Sequence, residues 1–259
     1  MLENSLRVLE YYRLLEILSH YAASPLGCSN CLSLKPLNEL ESIETEQRLV
    51  SEMKELLQVR GFVNLSSLSD IGPVLRKASK KGAFLEPKEL LSVSNLIKTS
   101  HNAKNWIYNA KDLCPSLMNI TKNIPTCDDL NKEIRRAITE DGGISDSASP
   151  LLSSLRSKRA ALRKTIEKKL DKFLKSLEFS NDSLISVRDG RYIISIRSDR
   201  INFTRGIVHG YSRTSSTCFL EPLAAVEENN NLEELTEKER DEEKKVLQGL
   251  TKLVSDSFF

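Results

Sequence analysis

Six arginines, Arg188, Arg191, Arg197, Arg200, Arg205 and Arg213, lie within a stretch of 26 residues whose only acids are Asp189 and Asp199. Guanidinium suits phosphate well, because its planar fork donates parallel hydrogen bonds to two oxygens and keeps its charge. Tyr192, Phe203, His209 and Tyr211 fall in the same stretch and add groups that can line a backbone groove. The chemistry on offer is contact with nucleic-acid phosphates, and the candidate residues are Arg188, Arg191, Arg197, Arg200, Arg205, His209 and Arg213. The alternative is internal: Arg188 and Arg191 would brace Asp189 in a turn while Tyr192 fills a small core.

Other chemistry is poorly supplied. Cys28-x-x-Cys31 has the spacing of half a zinc site, with Cys114 and Cys127 as further thiols. Tetrahedral zinc needs four converging ligands, however, and the sequence has neither a second C-x-x-C nor a nearby His pair. On a helix opening at Ser24-Pro25 the two cysteines share a face, where cysteine acts as a small apolar filler. The odd count of five cysteines does not read as a disulfide framework. His20, His101 and His209 are too scattered for a triad, and Ser24, Ser147 and Ser149 read as helix caps. No G-x-x-x-x-G-K-[ST] run offers a loop that cradles a nucleotide phosphate. Neither a catalytic residue nor a metal or cofactor site is expected within these residues.

The elements that must position the arginines follow from periodicity. Composition favours helices: 29% of residues are charged and 39% hydrophobic, with only 10 Gly and 8 Pro among 259. No apolar run approaches the roughly 18 residues that span a bilayer, and the N-terminal pattern contains acids and arginine, unlike a signal peptide. A cytoplasmic protein without a membrane partner is expected. Apolar residues recur at helical spacing from Val8 to Tyr21, from Leu40 to Leu57, and from Leu85 to Trp106. Asn38 and Glu41 resemble a capping pair, Ser69-Asp70 opens a short basic helix around Leu75, and Asp128 can cap a helix that stops at Asp141-Gly142-Gly143.

From Ser149-Pro150 the apolar residues Leu152, Leu155, Leu162, Ile166, Phe173 and Leu177 follow a period near 3.5, which predicts one helix about 40 Å long. The period then switches to two. Leu184–Arg188 and Arg191–Arg197 read as strands joined by a type I′ turn at Asp189-Gly190, and Gly206–His209 and Thr217–Leu220 as two more. After Glu221-Pro222 the helical pattern returns and runs without a stop signal to the end.

Charge pairs the two long helices. Between Arg156 and Lys175, nine basic residues face two acids, a net of +7; between Glu221 and Lys245, ten acids face four basic residues, a net of −6. A basic helix running out and an acidic one returning attract each other when antiparallel, and each apolar stripe is too narrow to be buried alone. The expected fold is mainly α. A helical core domain (1–149) leads to a long antiparallel two-helix arm (150–183 and 223–259), with a small antiparallel β clamp (184–222) at its tip. The cations of the shaft are expected to neutralise its acids, so the nucleic-acid site is placed on the sheet.

Several segments, taken in order, resemble one family. LEYYRLLEILSHYAASPLGCSNCLSLKP, EDGGISDSASPLLSSLRSKRAALRKTIEKKL, VRDGRYIISI, GIVHG, TCFLEP and Asn229-Asn230-Asn231 are similar to the N-terminal region of the second bacterial MutS branch, whose members often carry an Smr nuclease domain. The resemblance runs from about Leu9 to Leu235. It implies a core, or lever, and clamp that contact duplex or branched DNA in restraining recombination, or that engage collided ribosomes through rRNA. It also implies a homodimeric full-length protein whose ATP, Mg and endonuclease sites would lie beyond Phe259. Two departures stand out: Ile194-Ser195 replaces the family's Val-Pro, and Ser215-Ser216-Thr217-Cys218 replaces a glycine-containing run.

Overall fold

The computed structural model describes residues 2–176 and 184–258; Leu177, the expected end of the long helix, and the side chain of Phe203 lie outside what it describes. The chain divides into two compact units, Met1–Ile144 with Leu247–Phe259, and Ser145–Val246. The fold is mainly helical with one small antiparallel sheet.

The first unit contains α1 (Leu2–Val8), α2 (Tyr11–Ser19), α3 (Pro25–Leu32), α4 (Leu40–Arg60), α5 (Gly72–Ala78), α6 (Pro87–Tyr108), α7 (Pro115–Lys122) and α8 (Asp128–Ala137). The opening apolar run is broken at Glu10, whose φ of 51° turns the chain between α1 and α2. Ser24 caps α3 as expected, its hydroxyl accepting from the Gly27 amide at 3.0 Å. Asn38 is not the cap of α4, which starts after Glu39 with no side-chain cap. The capping box belongs instead to α6, through Glu86 and Glu89, with Pro87 at its first position.

Sequence periodicity alone does not reveal α7. Its first turn is capped from α4 by Glu52, which accepts from the amides of Ser116 (3.1 Å) and Leu117 (2.9 Å). Burial raises the Glu52 carboxyl, but those contacts outweigh it and hold the group below its ordinary range. Helix α8 stops at Ala137, before the expected Asp141. Ile138 is extended and bridges Ile144, so Gly142 (φ 85°) serves a tight turn and not a helix stop. Leu56, Ile107, Cys114 and Leu117 pack together between α4, α6 and α7.

The second unit is built on α9 (Pro150–Ser176) and the first part of α10 (Leu223–Phe258), which run antiparallel. Arg156 on α9 meets Glu239 (3.0 Å) and Glu243 (2.7 Å) of α10 and Asp146 (2.5 Å). Further along, Arg159 reaches Glu239 at 2.6 Å and Lys169 reaches Glu228 at 2.5 Å. The basic and acidic helices therefore pair as their composition predicts.

Between them lie β1 (Leu184–Arg188), β2 (Arg191–Arg197), β3 (Gly206–Tyr211) and β4 (Thr217–Pro222), in the order β1-β2-β4-β3 with all pairs antiparallel. Asp189 (φ 50°) and Gly190 (φ 81°) form the expected hairpin turn. One sheet face, with Tyr192, Ile194, Ile196, Cys218 and Leu220, packs on Ile166, Leu170 and Leu174 of α9 and on Ala225 and Leu232 of α10. The sheet is thus seated by a shared core on the last turns of α9 and the first turns of α10. That contact also explains why Leu170 and Leu174, outside the expected stripe, are buried.

Candidate nucleic-acid interface

The opposite sheet face carries most of the candidate cations, and the structure sorts them into two kinds. Alternation along the strands puts Arg188, Arg191, Arg197, Phe219 and Glu221 on that face. Glu221 has no exposed surface. Its carboxylate accepts from Arg191 (Nε at 3.0 Å and Nη2 at 2.9 Å), from Asn229 Nδ2 (2.8 Å) and from His209 Nε2 (2.7 Å). A carboxylate can only accept, so Nε2 is the protonated nitrogen of His209. Burial pushes the Glu221 carboxyl up, but the hydrogen bonds from Arg191, Asn229 and His209 outweigh it and hold it below the usual range. Arg191 is shifted upward in turn, chiefly by its bond to Glu221, and it also meets Glu233 (2.9 Å) and Asn230 (2.6 Å).

Asn229 ties this cluster to the backbone. The β2–β4 register would set Tyr192 opposite Pro222, which has no amide hydrogen and where β4 ends. The Asn229 carboxamide takes the place of the missing strand, accepting from Tyr192 N at 3.0 Å and donating to Tyr192 O at 2.9 Å. Gly206 is required beside it, since a Cβ there would lie 2.4 Å from the Glu221 carbonyl oxygen.

The remaining cations lie apart from this cluster. Arg197 pairs with Asp199 through Nε (3.3 Å) and Nη2 (2.9 Å), and both side chains are exposed. Asp199 is held below its ordinary range, chiefly by Arg197 and in part by the charge of Arg200. Arg205 and Arg213 are exposed, on the segments flanking β3. Arg188 lies over the Phe219 ring, its guanidinium carbon 5.1 Å from the centroid.

Near Arg197 the β3–β4 loop is closed by Ser198, which donates to the Ser215 carbonyl at 2.5 Å, and by Ser212, which accepts from the Thr217 amide at 3.1 Å. Ser215 sits at φ 55°. The loop thus keeps a left-handed residue without glycine, at a cost of about 1–2 kcal/mol.

The structure therefore brings Arg191 and His209 together on one carboxylate and leaves Arg188, Arg197, Arg200, Arg205 and Arg213 outside that cluster. Neither Arg188 nor Arg191 braces Asp189. Three members of the arrangement are absent from the expected site: Glu221, Asn229 and Phe219. TCFLEP and the asparagine run were conspicuous in the sequence, and a charged residue closing an apolar strand was the available signal. Elsewhere, Cys28 and Cys31 are free and partly buried, with the Cys28 thiol on the Ser19 carbonyl at 3.2 Å. Among the described residues no three His, Cys, Asp or Glu side chains are grouped to hold a metal ion, and no helix is long and apolar enough to cross a membrane.

These features define a class: a mainly helical protein whose small antiparallel sheet forms a clamp-like subdomain with a basic, cross-braced face. No family model matches the chain. It is 34% identical over 265 residues to the endonuclease MutS2 of Lachnoclostridium phytofermentans, covering 98% of this chain and 33% of that protein. It is 30% identical over 252 residues to the endonuclease MutS2 of Pelotomaculum thermopropionicum (96% and 32%), and 33% identical over 261 residues to that of Bacillus cereus strain Q1 (98% and 33%). The chain is a homologue of the bacterial MutS2 proteins, and it spans about a third of the length of the curated relatives it matches.

Proposed function

We propose that this chain is the DNA-contacting core and clamp of a MutS2-type protein, with its sheet resting on the phosphate backbone independently of sequence. The observation that carries the reading is the division among the cations of the sheet and its flanking segments: Arg191 and His209 are engaged by Glu221, while Arg188, Arg205 and Arg213 have no acid partner among the described residues. Phosphate contact without base readout needs little more than such positive side chains on a fixed scaffold. The core (1–149), outgoing helix (150–183), clamp (184–222) and returning helix (223–259) are the proposed divisions. ATP, Mg and nuclease chemistry would be supplied by other parts of a full-length MutS2-type protein, which would act as a homodimer in the cytoplasm.

The test is binding of the 259-residue chain to labelled duplex and branched DNA across a salt series, beside co-sedimentation with ribosomes. Binding should weaken steeply with salt, and joint neutralisation of Arg188, Arg197, Arg205 and Arg213 should abolish most of it. A chain that ignores both DNAs at low salt yet pellets with ribosomes would replace DNA by rRNA as the target.

A further inference from the structure

Arg188 and Arg191 face each other across the hairpin, on the same sheet face, yet they have opposite fates. Arg191 is held by Glu221, Glu233 and Asn230. Arg188 makes no ion pair and no side-chain hydrogen bond among the described residues, and still its position is defined. With the strands ordered β1-β2-β4-β3, a side chain that starts on β1 and ends over Phe219 on β4 must cross β2. Beneath that path Ser186 and Ile193 stand opposite each other on this face; Ile193 is 1% exposed and the Ser186 hydroxyl is shielded without a partner.

The far end of Arg188 rests at the β-bulge of β3. There Gly210 has φ 135°, and a Cβ would lie 3.2 Å from Arg188 Nη1. A residue with a side chain would be strained by the backbone and would crowd the guanidinium as well. A cation over a ring engages no acceptor with its N–H groups and leaves them available, which an ion pair would not.

Resting on the DNA-contacting reading above, we propose that Arg188 is a preorganised phosphodiester contact of the sheet, and that Phe219 and Gly210 are positioning residues that hold its fork across the open face. An arginine already laid in place loses less rotamer freedom on binding than those on exposed segments, such as Arg205 and Arg213. The contact uses the planar donor fork of guanidinium, so it is specific to arginine.

The experiment is a salt titration of the 259-residue chain on labelled duplex DNA, with far-UV circular dichroism to confirm that each variant is folded. Arg188→Ala should lower the log-log salt slope by about one. Arg188→Lys keeps the charge, so the slope should stay while affinity falls several-fold. Phe219→Leu should also weaken binding several-fold at unchanged slope, and should have no further effect in the Arg188→Ala background. Wild-type binding with an unchanged slope and affinity in Arg188→Ala overturns this assignment alone, as does equal weakening by Phe219→Leu with and without Arg188. A wild-type chain that does not bind DNA at low salt overturns it together with the reading on which it rests.

Discussion

A carboxylate in a sheet is costly to bury, and Glu221 shows what makes it tolerable: a fork from Arg191, an imidazole N–H from His209 and an amide from Asn229. Asn229 is the more exposed dependency, because one side chain serves both Tyr192 backbone groups and the carboxylate. Asn229→Ala leaves the Tyr192 amide and carbonyl unpaired and takes one of several donors from Glu221, and it should cost at least 1–3 kcal/mol, roughly the penalty of one unpaired group; urea unfolding of the variant beside wild type measures it. A loss well under 1 kcal/mol would mean that water replaces the carboxamide. The pH dependence has a definite sign. Glu221 is lower in the folded chain than its ordinary value of 4.5, so its contribution is complete above that value and disappears as pH falls through the folded one. Glu221→Gln should therefore flatten the decline of stability in the region below about 4.5 relative to wild type.

Residue identity made the arginines visible in the sequence, whereas their partners were not. That six arginines crowd 26 residues is a property of composition. That Arg191 turns inward to Glu221, 30 residues away, while Arg188 lies across Phe219 depends on strand order, which the sequence does not print.

At the scale of elements, local signals were the legible ones. The Asp189-Gly190 hairpin and the switch from helical to alternating periodicity specify β1 and β2 within a few residues, because both causes are local. The opposite net charges of the two long helices foretell their pairing. By contrast, α7 owes its first turn to Glu52 from α4, and the seat of the sheet depends on Leu170 and Leu174 meeting Ile194 and Leu220. The pairing itself is testable. Arg156 and Glu239 are mostly shielded, with side chains 22% and 6% exposed, whereas Lys169 is 43% exposed. A double-mutant cycle on Arg156 and Glu239, read by urea unfolding, should give a coupling of about 1–3 kcal/mol, against about 1 kcal/mol or less for Lys169 and Glu228. Negligible coupling in both cycles would show that the arm is held by its apolar seam with the charges only selecting direction.

At the scale of the whole molecule, on the function proposed above, the cations of the sheet and of the segments beside it do two jobs with different side chains. Arg191 and His209 fasten β2 and β3 to α10 through Glu221 and Asn229; on that proposal Arg188, Arg205 and Arg213 serve a polyanion. The salt titration on labelled DNA tests the division most directly when Arg205→Ala with Arg213→Ala is compared with Arg191→Ala and each chain is also unfolded in urea. The Arg205 and Arg213 pair should lower the log-log slope by about two at an unchanged unfolding midpoint. Arg191→Ala should lower the midpoint and, where the chain remains folded, leave the slope alone. An unchanged slope in the pair, or a slope lost in Arg191→Ala at full stability, would contradict the division.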